Sequence, residues 1–186
     1  MSSLLAATAV CLNKRLVTLT STAIGILALS SSSLAFSWTD GFNLAHKEGD
    51  RYSLIFSPFT HHFDYSDEHK HVWMVGGFRE RSDGGITGAV FFNNSFGQPS
   101  TYIYPFGKIY RGLFNQPNLY AKVTAGLLYG YVGQYRNKVP FNKNGFSPGI
   151  VPALGWEHKG GYQSQLNLLG TSAIMLQFSI PISPRH

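Results

Sequence analysis

The stretch Leu119 to Tyr135, LYAKVTAGLLYGYVGQY, constrains this chain more than any other. Its odd positions are Leu119, Ala121, Val123, Ala125, Leu127, Tyr129, Tyr131, Gly133 and Tyr135, whereas the intervening ones open with Tyr120, Lys122, Thr124 and Gly126. A period of two over this length specifies a strand, with an apolar face opposite one that begins polar and small. Strands of soluble proteins run to about 5–6 residues. A tilted strand crossing a bilayer needs roughly 9–11, plus interfacial ends. The tyrosines near its end read as an interfacial girdle. A membrane β-barrel is the fold that follows.

The composition agrees. Charged residues make up 13% of the chain, about half the roughly 25% of soluble proteins, as a surface turned to lipid requires. The 186 residues suffice for one domain. Past the N-terminal segment, no apolar run reaches the roughly 18–20 residues of a transmembrane helix. Met1 to Ala35 reads as a signal peptide: Lys14-Arg15, then LVTLTSTAIGILALS, then the small-x-small site Ser33-Leu34-Ala35. The expected division is therefore 1–35 signal peptide and 36–186 barrel, exported to the bacterial outer membrane. The lone Cys11 leaves with the signal, so the mature chain carries neither thiol nor disulfide. Two of the 15 Lys and Arg leave with it as well; 13 basic against 9 acidic residues give a mature net charge of +4. No basic stripe interleaved with aromatics is present, which speaks against nucleic acid.

Trp38, Phe42 and Ala45 share one face of a short N-terminal helix or ordered leader over Trp38–Asp50. Eight extended segments follow: about Arg51–Phe63, His71–Arg81, Ile86–Phe96, Thr101–Tyr110, Leu119–Tyr135, Ile150–Glu157, Tyr162–Leu169 and Ser172–Ile182. The turns Ser82-Asp83-Gly84-Gly85 and His158-Lys159-Gly160-Gly161 are hairpin signals. In the last two segments Gln163, Gln165, Asn167, Ala173, Gln177 and Ser179 oppose Leu166, Leu168, Ile174, Leu176, Phe178 and Ile180. The fold class is thus all-β: an eight-stranded antiparallel transmembrane β-barrel with a short N-terminal helix, preceded by a signal peptide. An even strand number returns both chain ends to the periplasmic side, with the long Arg136–Ser147 loop outside. Such a cylinder closes without a partner, so a monomer is expected, and its interior holds side chains or one small ligand rather than a pore.

Strand parity brings Thr60-His61-His62 and Asn93-Asn94-Ser95 to one rim. A hydroxyl becomes a nucleophile beside a base, usually neutral His, and Asn can donate to a developing oxyanion. Rim residues of these types are also common as solvated loop positions. His61, His62, His69 and His71 lack a regular ligand spacing, so no metal is expected. Pro58 and Pro152 each remove a ladder hydrogen bond, which weakens pairing locally or makes a bulge. Arg136, Lys138 and Lys143 in the outer loop suit anionic headgroups, or form a solvated basic loop.

The segments FSPFTHHFDYSDEH, WMVGGFRER and GAVFFNNSFGQPS, with Val139-Pro140-Phe141 and GIVPALGW at Gly149–Trp156, together resemble the PagP family of outer-membrane lipid A palmitoyltransferases. The resemblance spans roughly Tyr52 to Ile182 and rests on spacing and short motifs. It implies transfer of a palmitoyl chain from a membrane phospholipid to lipid A, a buried acyl-measuring cavity and no cofactor. The family's catalytic His falls on His62, with His61 the fallback, and its Asp-Ser pair on Asn94 and Ser95, Asn standing in place of Asp. The proline-flanked gaps that admit lipid sideways fall on Pro152 and, offset by one residue, on Pro58. Because Asn cannot act as a base or hold an imidazolium by charge, a second reading stands beside this one. In it the barrel is not an enzyme and binds or passes a lipid or small solute.

Overall fold

The computed structural model describes Ala45 and residues 47–182. The signal-peptide expectation, most of the N-terminal helix expectation (Trp38 and Phe42 included) and the chain's last four residues lie outside them. Of that helix window, the described part near Asp50 is a turn, in which the Asp50 carboxylate accepts the Lys47 N–H at 2.7 Å.

Eight strands form a closed antiparallel barrel, each paired with its neighbours in chain order and β1 with β8. They are β1 Arg51–His62, β2 Met74–Glu80, β3 Ile86–Asn93, β4 Pro99–Arg111, β5 Leu119–Tyr129, β6 Phe146–Glu157, β7 Gln163–Leu169 and β8 Ala173–Pro181. The alternation points apolar side chains outward: Leu54, Phe56, Ile103, Leu127, Leu154 and Ile180 are exposed. Ser57, Lys122, Thr124, Gln165, Asn167 and Gln177 are buried inside. A polar lumen under an apolar exterior inverts the soluble pattern and is the arrangement of a membrane-spanning barrel. Exposed aromatics flank the apolar band, with the Tyr129–Phe146 ring pair near one end and Trp156 and Tyr162 near the other.

Some strand ends depart from the sequence expectation. β5 stops at Tyr129 rather than Tyr135, because Gly130 takes a positive φ of 134° and a 3-10 helix follows at Gly133–Lys138. Tyr129 belongs to the girdle, whereas Tyr131 and Tyr135 turn to Phe96. β6 begins at Phe146, which shortens the loop expected to reach Ser147. β2 begins at Met74 rather than His71, and β3 ends at Asn93 rather than Phe96.

Two prolines sit at β-bulges. Between Phe56 and Phe59 of β1, one residue more is used than between Phe178 and Leu176 of β8. The same surplus separates Ile103 and Phe106 of β4 from Leu127 and Ala125 of β5. Pro58 and Pro105 lie in these surpluses, where no ladder N–H is needed. Each bulge exchanges the inward and outward faces of the strand beyond it.

The end of the barrel where the β2–β3, β4–β5 and β6–β7 turns lie is filled by packed side chains. Ile86 and Tyr120 are fully buried there, with Phe78 and Ile109 beside them. An ionic network tightens this end: Glu80 binds Arg51 at 2.7 Å and Arg111 at 2.5 Å, Arg111 also reaches Glu157 at 3.1 Å, and Arg79 holds Asp50 at 2.6 Å. The opposite end is hollow.

Candidate functional site

The bulge at Pro58 decides which histidine enters the lumen. Ile55 and Ser57 face inward; in a regular strand with every residue in the ladder, alternation would carry Phe59 and His61 inward too. Instead Phe59 and His61 are exposed, while His62 comes to the inner face opposite buried Ala173. His61, the expected fallback, points away from the site. The Ser57 hydroxyl closes the bulge by donating to the Leu176 carbonyl at 2.6 Å.

Ser95 is placed by the turn after β3. The Asn94 side-chain oxygen accepts the backbone N–H groups of Phe96 and Gln98, both at 3.0 Å, and its amide nitrogen donates to the Gly130 carbonyl at 3.2 Å and Gln98 Oε1 at 3.4 Å. Asn94 is 1% exposed and uses its whole hydrogen-bonding capacity to build this turn. Gly97, with φ 78°, completes it. The Lys70 N–H donates to the Ser95 carbonyl at 2.8 Å, docking the β1–β2 loop onto the same turn.

His62 Nε2 and Ser95 Oγ thereby come to 2.5 Å. The His69 ring lies 4.2 Å from the His62 ring, centroid to centroid, and edge-on to Phe96 at 5.8 Å. Tyr131, beyond the end of β5, hydrogen-bonds Ser95; burial pushes its hydroxyl up to about 12, against the pull of that bond, so it stays a neutral donor. Among the described residues no carboxylate hydrogen-bonds His62, so the arrangement is a dyad. A neutral His62 can take the Ser95 proton, which is what an activated hydroxyl needs. Lys138 sits over the Phe96 ring at 5.2 Å and 3.8 Å from Glu68, at the edge of the site. Arg136 and Lys143 are exposed on the same loop, before and after Lys138. Among the described residues no three His, Cys, Asp or Glu side chains gather as a metal site would require.

Below the dyad lies a cavity of about 730 Å³, within the roughly 300–1,000 Å³ usual for small-ligand sites. Its wall is apolar at Met74, Val90, Phe92, Leu128, Val151 and Met175, and it descends to Lys122, Gln165 and Asn167. Two lateral breaks in strand pairing occur at this level. The β1–β2 ladder ends at Ser57 with Met74, leaving Pro58–His62 unpaired on that side. The β6–β7 ladder ends at Ala153 with Asn167, leaving Phe146–Pro152 unpaired on that side. Pro58 and Pro152 are each the first residue past a ladder's end, and Pro148 through Val151 line the cavity.

Sequence reasoning reached His62, Ser95 and both prolines. It missed Tyr131, read as girdle, and Lys122, read only as a polar position on β5. It counted His69 among possible metal ligands; the structure sets it against His62 instead.

No protein-family model matches the chain, and no curated protein does. Among solved structures, a de novo designed transmembrane β-barrel aligns at 12% identity over 74% of this chain and 98% of that one, with a TM-score of 0.49. A protein of unknown function from Clostridium acetobutylicum aligns at 11% identity over 72% and 97%, with a TM-score of 0.18.

Proposed function

We propose that this barrel resides in the bacterial outer membrane and moves a palmitoyl-like acyl chain from a phospholipid to lipid A. The observation that carries the reading is the 2.5 Å contact between His62 and Ser95 above a deep, mostly apolar cavity. Ser95 Oγ attacks the phospholipid ester carbonyl as its proton passes to His62 Nε2. The lysophospholipid alkoxide leaves and takes that proton. A lipid A hydroxyl then attacks the acyl-serine, gives its proton to His62, and Ser95 recovers a proton as the new ester forms. Tyr131 donates to Ser95 throughout, and Asn94 positions it. The breaks beside Pro58 and Pro152 admit lipid from the bilayer, while Arg136, Lys138 and Lys143 meet lipid A phosphates. The closed barrel works as a monomer without a cofactor.

The test is expression of the full chain in a host lacking such an enzyme, followed by mass spectrometry of lipid A. A gain of one acyl mass, lost in Ser95→Ala and reduced at least about 10²-fold in His62→Ala, is the expected result. Unaltered lipid A, with the barrel folded in the outer membrane, would sink the reading. That no carboxylate stands behind His62 among the described residues favours a second one, a non-enzymatic barrel that binds or passes a lipid or small solute. Under it, a loss-of-gene phenotype is rescued equally well by wild type and by both variants.

A further inference from the structure

The floor of the cavity does not match its greasy wall. Lys122 enters it from β5, with only 5% of its surface exposed. The Lys122 ammonium lies 4.7 Å from the centre of the Phe78 ring. Among the described residues it has no carboxylate partner and no hydrogen-bond acceptor. Glu80, the acid whose charge acts on it, is already shared by Arg51 and Arg111. A cation face-on to an aromatic ring gains some attraction. A buried ammonium without a counter-charge is nevertheless held against a large desolvation cost.

Beside Lys122 runs a chain of amides. Tyr120 donates to Gln165 Oε1 at 3.1 Å, Gln165 to Asn167 Oδ1 at 2.6 Å, Asn167 to Gln177 Oε1 at 3.1 Å, and Gln177 to Ser179 Oγ at 3.3 Å. Every amide oxygen in the chain has a donor, while every amide nitrogen has used one of its two hydrogens. Gln165, Asn167 and Gln177 all line the cavity. The floor therefore offers the ammonium hydrogens and spare amide N–H groups. It is rich in donors, and a carboxylate would supply the counter-charge that Lys122 lacks.

We propose that this floor is a carboxylate subsite, and that the cavity takes a single-chain fatty acid head-down. The carboxylate sits on Lys122 and the Gln165–Asn167–Gln177 amides, and the hydrocarbon lies against Val90, Leu128, Val151 and Met175. This orientation is opposite to that of an acyl chain entering tail-first beneath Ser95. It uses neither Ser95 nor His62, so it stands or fails independently of the transfer reaction, and the two occupancies exclude each other.

The probes are palmitate and hexadecanol, which share a chain length, titrated into the barrel in neutral-detergent micelles at pH 8. Palmitate is expected to bind at least tenfold more tightly to wild type. The preference disappears in Lys122→Met and persists in Lys122→Arg. Stearic acids spin-labelled at carbon 5 or carbon 16 report orientation in the wild-type protein, with no variant required. The carbon-5 label should broaden the amide resonances of Ala121, Val123 and Ala153, and the carbon-16 label those of Ser95 and Phe96. Equal affinity for acid and alcohol, or the reverse pattern of broadening, overturns the proposal.

Discussion

Asn94 shows how a side chain can sit beside a reactive group and act by building the turn that holds it. Its oxygen caps two N–H groups and its nitrogen ties the turn to Gly130 across the rim. Asn94→Asp keeps the two caps and loses both donations, which should cost about 1–3 kcal/mol. Urea unfolding of the barrel in vesicles measures that loss, and acyl transfer should fall by no more than about tenfold. Asn94→Ala removes all four bonds and releases Ser95, so it should cost at least as much stability and abolish transfer. The pairing of His62 with Ser95 was legible in the sequence because both are polar residues at strand ends of matching direction. Tyr131 was not legible. Its alternation continues that of β5 without a break, and only Gly130 marks where the chain turns toward the site.

The strands were legible as elements because alternation against lipid is strict and the Gly-rich turns punctuate it. Their upper ends were not, since His71–Trp73 and Gly130–Tyr135 remain apolar enough to pass as strand while packing onto loops. A bulge is also silent in sequence, for one added residue alters neither composition nor length noticeably. Its effect is nevertheless decisive for β1. Deleting Pro58 takes out the surplus residue and leaves plain alternation through Ser57, Thr60 and His62, so His62 should stay on the inner face opposite Ala173 and His61 on the outer one. The expected outcome is a barrel that still shows heat-modifiable mobility on gels and still carries out acyl transfer. Replacing His61 by Ala in the unaltered strand should leave transfer within about twofold, consistent with surface substitutions being nearly neutral.

The molecule divides its labour along the cylinder axis, packed and ionic at one end, hollow and reactive at the other. The packed end should carry the stability. Arg111 joins Glu80 to Glu157, and Glu80 is 4% exposed. Arg111→Met leaves Glu80 with Arg51 alone and should destabilise the barrel by about 1–3 kcal/mol, read as a lower urea midpoint, with the rim chemistry intact. At the hollow end, Pro148 and Pro152 both pair with β5 in an unbroken register, opposite Leu127 and Val123. That register survives only if their nitrogens face away from β5, along the unpaired edge toward β7. The edge is thus stripped of two donors that lipid could not have satisfied, and the two strands cannot zip together there. Restoring one such donor, as Pro152→Ala does, should let the seam fasten, giving a sturdier cylinder that lipids enter more slowly.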